Sequence, residues 1–561
     1  MSETPTRARD CQPSEEYEMD FFYNAPERVV DEAIDGLARI APIKRSAETH
    51  GVRVVVDSDW DKSRVAVLSG GGAGHEPSHA GFVGDGMLAG AIAGDIFTSP
   101  SVEAVLAAIR ATCGEAGCLL VIKNYTGDRL NFGLAAERAT REGYRVRSVI
   151  VADDIALSDA TQKRGLAGTV LVHKIAGHYA ASGADLDTVA DMAQRVCDGL
   201  CSIGLSLSSC TLPGHAIDRR SAELGLGIHN EPGVREVDPA DAGDAMQLVL
   251  EPLLETINER AGTDTPLLVM LNNLGGCATQ EMGVLFNELL ARLPAERVAH
   301  VVAPAALMTS LDMHGFSVTL LAAEDDFVTA LQSAVAAPAW PGLYRPQAID
   351  TFDVELSAAS DDPVGKRDTD REQRIEGVVQ RLIESKDELD ALDAKAGDGD
   401  TGTTFAAGAR AIGDALQAQA LSSGEDARLA YEIGEILARD MGGSSGVLLS
   451  ILCTATGAAL DEGSDWAGAL GRGIERMQHY GGAAPGDRTL LDALIPAVEA
   501  LADGGGLSAA AKSARTGADA TRSMTHARAG RSAYVPENAL RDLTDPGAEA
   551  IARVWQQLAE G

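Results

Sequence analysis

From about residue 21 to residue 336 the chain alternates short β-branched apolar runs with longer amphipathic stretches. The runs at 52–56, 65–69, 119–123, 146–151, 267–271 and 318–321 are short, apolar and bounded by glycine or polar residues, which predicts strands. Between them, 102–111 and 131–142 place their apolar residues at helical spacing. Strand and helix in alternation predict βαβ units and a largely parallel sheet. A stretch of about 300 residues is large for one sheet, so two α/β lobes are expected. After residue 371 the β-branched runs stop, and an Ala- and Leu-rich pattern predicts helices at 371–385, 403–418, 425–439, 447–460, 490–502, 507–525 and 548–558. The texture between the halves, with Pro338, Pro341, Pro346, Ser357 and Asp361–Asp362–Pro363, predicts a linker over 338–370. The expected organisation is therefore a disordered tail at 1–19, an α/β domain at 20–337, the linker, and an all-α domain at 371–561.

Composition narrows the function. Forty-seven basic against 83 acidic side chains leave a net charge of −36. Nucleic acids and anionic membranes attract clustered Lys and Arg, so neither is expected as a partner. A phosphorylated substrate stays open, because it needs only a local pocket of donors. A hydrophobic fraction of 45% is that of a globular chain. No run of some 18 apolar residues predicts a membrane span, and the polar N-terminus does not resemble a signal peptide. The eight cysteines (Cys11, Cys113, Cys118, Cys197, Cys201, Cys210, Cys277 and Cys453) form no CxxC pair, and read as reduced thiols in a cytoplasmic protein.

Three motif matches fail on their surroundings. His75-Glu76-Pro77-Ser78-His79 fits a zinc-helix pattern, but the glycines before it and Pro77 inside it exclude a continuous helix. Gly84-Asp85-Gly86-Met87-Leu88-Ala89 mimics a dinucleotide fingerprint without directly following a strand. Asp398-Gly399-Asp400 starts like a calcium loop, yet Thr403 and Ala409 occupy the positions that need Gly and Glu.

Four other segments carry chemistry. A predicted strand runs into Ser69-Gly70-Gly71-Gly72-Ala73-Gly74-His75, where backbone amides can approach a small ligand beside an imidazole; a tight strand–helix turn is the alternative. Lys123 and Asp128 stand at the end of another predicted strand, either as a structural pair or with Asp128 accepting a hydroxyl proton. His229, framed by Gly225, Gly227 and Gly233, is a loop imidazole able to act as base, ligand or nucleophile toward a carbonyl. In the helical half, Asp393, Asp398 and Asp400 fall within eight residues at a helix junction, an oxygen-only set suited to Mg²⁺. Residues 401–404 open the next helix, whose amides suit a phosphate, and Gly442-Gly443-Ser444-Ser445-Gly446 repeats that device.

The set SGGGAGHEP, GDIFTSP, KNYTGD, GIHNEPG, LDAKAGDGDTG, GGSSG and PGDRTLLDALIP resembles the dihydroxyacetone kinase family in its single-chain, ATP-dependent form. The resemblance runs from about residue 20 to the C-terminus. It implies a two-lobed α/β ketone-binding domain followed by an all-α antiparallel helical barrel that binds nucleotide. It further implies that His229 captures the ketone as a covalent hemiaminal, that His75 is the acid/base, and that Asp128 contacts the reacting hydroxyl. Gly72, Ala73, Gly74 and Lys123 match substrate contacts, and Asp393, Asp398 and Asp400 match magnesium ligands. Thr401, Gly402, Thr403, Thr404, Ser444, Ser445, Gly481, Leu490, Arg531, Asp545, Pro546 and Gly547 match nucleotide contacts.

The activity implied is ATP- and Mg²⁺-dependent phosphorylation of a short ketose, dihydroxyacetone first and erythrulose as the alternative, in a homodimer. A ketone-sensing regulator without catalysis is the reading from another class. Asn230 stands where the family usually has Gly, and His178 and His314 where smaller or less basic residues are expected. These departures imply a pocket reshaped for a larger ketose.

Overall fold

The computed structural model describes residues 21–47, 51–156, 162–213, 221–354, 364–395, 397–528, 535 and 540–560. The expected tail at 1–19 and Arg531 lie outside them. The chain divides into two compact units, 1–351 and 352–561.

The first unit is built on two sheets. In one, β1 (Ile43–Arg45), β2 (Arg53–Asp57), β3 (Ala66–Ala73), β4 (Gly90–Ile96), β5 (Cys118–Lys123) and β6 (Val146–Val151) lie in the order β1-β2-β4-β3-β5-β6. Here β3 is parallel to both β4 and β5, and β5 to β6, while β1/β2 and β2/β4 are antiparallel. The crossovers include α2 (Val102–Thr112) and α3 (Thr126–Arg141). Ser101 starts α2 by accepting the Ala104 amide, which satisfies one of the orphan donors of the first turn. Strand β3 is buried along its whole length, so its sequence reads as a continuous run instead of alternating.

The second sheet corrects the expectation of parallel pairing. It contains β7 (Cys201–Ser206), β8 (Glu223–Leu224), β9 (Arg235–Glu236), β10 (Leu267–Asn273), β11 (Val298–Ala305), β12 (Gly315–Ala322) and β13 (Leu343–Tyr344), in the order β13-β11-β10-β12-β7-β8-β9. Only β10/β11 is parallel; the other pairs are antiparallel. The link between β11 and β12 is too short for a helical crossover, so β12 returns beside β10 in the opposite direction. Helices α4 (Thr169–Ala181), α5 (Leu186–Gly199), α6 (Ala242–Ala261), α7 (Thr279–Arg292) and α8 (Asp325–Gln332) pack on these sheets, and α1 (Val29–Ala38) precedes them. Strand β13 joins the second sheet from within the stretch expected to be linker, and the amides of Gly365 and Asp368 bond to Ser422 and Ser423. The described ends of that stretch therefore belong to the two units.

The second unit contains α9 (Thr369–Glu384), α10 (Lys386–Asp393), α11 (Thr401–Gln417), α12 (Asp426–Ile436), α13 (Gly443–Asp461), α14 (Trp466–Gly481), α15 (Leu491–Ala502), α16 (Gly506–Ala520) and α17 (Pro546–Glu560). Neighbour packs on neighbour from α12 through α16, α16 packs on α17, α17 on α9, and α9 on α11, whose far side meets α12 and α13. The helices thus close into the expected barrel around Leu389, Phe405, Leu452, Leu494 and Trp555. By length and composition α13 could cross a membrane. It sits between α12 and α14, with Leu449, Leu452 and Ala459 buried.

Candidate active site

The site in the first unit starts from a strand that cannot carry side chains. A Cβ on Gly70 would lie 2.3 Å from the Ile92 carbonyl oxygen, and one on Gly72 would lie 2.6 Å from the Thr98 amide. Glycine lets β3 run against β4 and deliver His75 into the interior, where it is fully buried. No helix spans His75 to His79, so the zinc-helix pattern is excluded by the structure as well.

The His75 ring is fixed at Nδ1, which donates to the Thr309 carbonyl at 2.8 Å. Its Nε2 lies 3.1 Å from Nε2 of His229. His229 in turn holds Nδ1 3.5 Å from Oε1 of Glu231, while its own amide donates to Oε2 of that carboxylate at 2.9 Å. With each Nδ1 facing an acceptor, both Nε2 atoms carry lone pairs directed at one another. That contact is repulsive unless a proton or an electrophilic atom lies between them. The arrangement aims two unprotonated ring nitrogens at one point, chemically able to serve as a nucleophile and a base.

Burial sets their charge. Desolvation, with Lys123 and His229 nearby, holds His75 well below the usual imidazole range. Burial also lowers His229, against the opposing pull of Glu231. Burial pushes Glu231 up, but the His229 side chain and the backbone amides of residues 229 and 231 together bring it down to about 2. Both rings are thus neutral at neutral pH beside a fixed negative charge. Phe97 and Tyr125 wall them in: the Tyr125 ring lies 4.3 Å edge-on from His229, and Phe97 stacks 5.3 Å from His75.

Lys123 ends β5 and Asp128 opens α3. Of the two alternatives for them, the structural ion pair does not form. Asp128 accepts from Ser99 Oγ at 2.5 Å, and the buried Lys123 Nζ has no hydrogen-bond partner among the described residues. Desolvation lowers the Lys123 ammonium pKa, with Asp128 and Glu231 opposing. An unsatisfied buried ammonium is costly unless something polar fills the space beside it, which suits a hydroxyl-bearing ligand.

The departures from the family pattern resolve differently. Asn230 sits at φ +64°, a left-handed conformation that Asn tolerates better than other side chains after Gly. The backbone that a glycine would adopt is thus kept. His178 meets Tyr179 of α4 edge-on, and His314 pairs with Glu281 of α7. Neither joins the side chains that pack on His75 and His229, so the expectation that they reshape this pocket is corrected.

In the second unit the carboxylates of Asp393, Asp398 and Asp400 come within 4.8 Å of one another, as expected. Asp393 Oδ2 accepts the amides of Asp400 and Thr401 at 3.0 and 3.1 Å. Asp390 accepts both the amide and the hydroxyl of Thr403 at 2.8 Å, and the Thr404 amide bonds to the Asp400 carbonyl. A Cβ on Gly402 would fall 1.9 Å from the Lys386 carbonyl oxygen, so glycine is required where α11 starts against α10. The amides of Thr401, Thr403 and Thr404, expected to be free for a phosphate, instead order the aspartate loop. The all-oxygen donor set fits Mg²⁺.

Around this loop, Ser444 and Ser445 lie in the first turn of α13 behind Gly442 and Gly443, whose φ values are +70° and +58°. A Cβ on Gly443 would lie 4.0 Å from the Thr404 methyl, and one on Gly481 would lie 3.0 Å from Leu448. Leu490 is buried against the Asp545-Pro546-Gly547 turn, where Asp545 caps α17 through the Ala548 amide and Pro546 takes the first helical position. Burial raises Asp545 to about 6, with Asp492 and Asp393 adding to the effect.

Sequence reasoning missed Thr309, Glu231, Ser99, Asp390 and Asp492. Glu231 is two residues from a recognised histidine and was legible as its partner. Thr309 is 234 residues from His75 and gives no local signal.

Comparison with known proteins agrees in both units. A Dak1 domain matches residues 35–339 and a DAK2 domain residues 395–560. The dihydroxyacetone kinase of Citrobacter freundii is 44% identical over 549 residues, covering 96% of this chain and 99% of that protein. Its crystal structure in complex with AMP-PNP and Mg²⁺ superposes with a TM-score of 0.70 at 43% identity, over 96% of this chain and 99% of that one. The triokinase/FMN cyclase of Bos taurus is 39% identical over 94% of this chain and 96% of its own. With both domains matched and each set of chemical residues assembled in its own unit, the chain belongs to the dihydroxyacetone kinase family.

Proposed function

We propose that the protein is an ATP-dependent kinase that phosphorylates the terminal hydroxyl of dihydroxyacetone. The observation that carries this reading is the pair of neutral imidazoles facing each other at 3.1 Å, each anchored through Nδ1. Its nucleophile needs a carbonyl carbon, which selects ketoses and excludes glycerol.

In this reading His229 Nε2 adds to the carbonyl carbon as the C=O π pair moves onto oxygen. The Nδ1 proton leaves by way of Glu231 and in net ends on the alkoxide, so the hemiaminal is neutral and Glu231 returns to its carboxylate form. Capture fixes the terminal hydroxyl for attack on the γ-phosphorus. His75 Nε2, held by Thr309, takes the hydroxyl proton as the O–P bond forms and ADP leaves. Asp128, oriented by Ser99, and Lys123 contact the substrate oxygens, and Gly72, Ala73 and Gly74 supply the close backbone wall. Asp393, Asp398 and Asp400 would hold Mg²⁺, which when bound offsets charge on the phosphate oxygens. Thr401, Gly402, Thr403, Thr404, Ser444, Ser445, Gly481, Leu490, Asp545, Pro546 and Gly547 are assigned to the nucleotide, with Arg531 added from the resemblance alone.

We assign the protein to the cytoplasm, the compartment that the spacing of its eight cysteines leads one to expect. A homodimer is inferred from the resemblance. The test is ADP release with dihydroxyacetone, erythrulose and glyceraldehyde, paired with native mass spectrometry of the ketose adduct. Dihydroxyacetone is expected to give the highest kcat/KM, and a preference of about tenfold or more for erythrulose overturns the substrate. Covalent capture without any ATP turnover would instead indicate a sensor.

A further inference from the structure

The first unit carries a second chemical cluster that the kinase reaction does not use. Cys277, Glu281 and His314 bring a sulfur, a carboxylate oxygen and an imidazole nitrogen within 4.8 Å of one another. They come from three places: the loop after β10, the first turn of α7, and the residue before β12. The convergence is built into the backbone. Asn273 clamps the Cys277 loop by accepting the amides of Gly275 and Cys277 and donating to the Cys277 carbonyl at 2.8 Å. A Cβ on Gly276 would lie 2.3 Å from the Asp312 carbonyl oxygen and 2.8 Å from the His314 backbone. Only glycine lets this loop press against the segment that carries His314.

The three side chains line one cavity of about 500 Å³ with Leu205, Leu207, Val284 and Phe316. Glu281 spends one oxygen on the Ala278 amide at 2.7 Å and directs the other to His314 Nε2, also at 2.7 Å. Cys277 lies just before the N-terminus of α7; burial and the nearby Glu281 carboxylate push its thiol up to about 12, and Sγ donates to the Gly315 carbonyl at 3.2 Å, so it is the bound cation that displaces the thiol proton.

We propose that Cys277, Glu281 and His314 form a binding site for a soft divalent transition metal of the Zn²⁺ class, with its fourth position open to the cavity. One thiolate and one carboxylate balance the ion's charge, with the thiol proton released to solvent, and imidazole completes an N/O/S set that Mg²⁺ does not favour. Tetrahedral zinc holds such ligand atoms roughly 3–4 Å apart, so side-chain movements of about 1 Å close the site. Three protein ligands with an open fourth position are the pattern of zinc that binds an exchangeable small molecule, and the cavity supplies room for one.

The test uses the full chain in excess Mg²⁺, which occupies the oxygen-only site of the second unit, titrated with Co²⁺ and then Zn²⁺. One equivalent of Co²⁺ is expected to produce a thiolate-to-cobalt charge-transfer band in the near ultraviolet, displaced by Zn²⁺. Cys277→Ser should remove the band while ADP-forming activity stays, which shows the variant is folded. His314→Ala should weaken Co²⁺ binding by about tenfold or more. Absence of the band in the wild-type protein overturns the proposal. So does a band undiminished in the folded Cys277→Ser variant.

Discussion

The two assembled sites solve opposite electrostatic problems. Around His75 and His229 the groups are buried, and desolvation keeps both imidazoles neutral so that their lone pairs are available. Around Asp393, Asp398 and Asp400 the opposite holds: Asp398 and Asp400 are exposed, and negative charge is concentrated in a set that suits a cation. One site draws its reactivity from exclusion of water, the other from like charges held together by backbone amides. The difference teaches that a nucleophile needs a dry pocket, whereas a phosphate-handling site can stay wet until its ligand arrives.

The sharpest way to break this comparison is to remove one member from each side. His229→Ala should lower kcat/KM for dihydroxyacetone at least about 10³-fold and abolish the adduct in native mass spectra, with nucleotide binding intact. Asp398→Asn should cost about 10²-fold in ADP formation and weaken Mg²⁺-nucleotide binding by calorimetry, while the adduct still forms. If both variants lost the adduct, the two sites would not be separable.

A pH profile probes the dry side alone. Because burial holds the pKa values of His75 and His229 below the ordinary imidazole value, both stay neutral as pH falls through about 6.5. The rate kcat/KM should therefore remain level there and decline only at lower pH. Glu231→Gln removes an anion that holds His229 up, so the acid limb should move further down. An acid limb at the ordinary imidazole value would contradict the buried, neutral pair.

The smallest effect concerns stability at the rim of the wet site. Burial raises Asp545 to about 6 from its usual 3.8, so the folded state favours the protonated carboxyl. That contribution is complete below pH 3.8 and lost as pH rises through 6. Asp545→Asn keeps a capping oxygen for Ala548 and avoids the buried charge. Thermal unfolding should show it stabilised by about 1–2 kcal/mol at pH 8 and near neutral at pH 4. An equal effect at both pH values would remove the charge from the explanation.

Legibility in the sequence followed the locality of each signal. All six predicted strands form, because their runs are rich in β-branched and other apolar residues, even where Arg53, Arg147 and Ser148 interrupt them. Strand β4 was missed because Gly90, Ala91, Ala93 and Gly94 dilute its hydrophobic pattern, although small residues are what its neighbour β3 requires. Helix α14 was missed because its four glycines weaken the helical reading. The residues at 437–441 end α12 in a π turn where a continuous helix was expected.

The local order of the chain was therefore determined by sequence alone: which segments alternate, where the glycines force close approach, and which carboxylates cluster within one loop. Only the tertiary structure decided that Thr309 anchors His75 and that the second sheet is mostly antiparallel. The physical reason is range. Periodicity and loop chemistry act over a few residues, whereas a tautomer, a desolvated charge or a strand neighbour depends on groups that folding brings from hundreds of residues away.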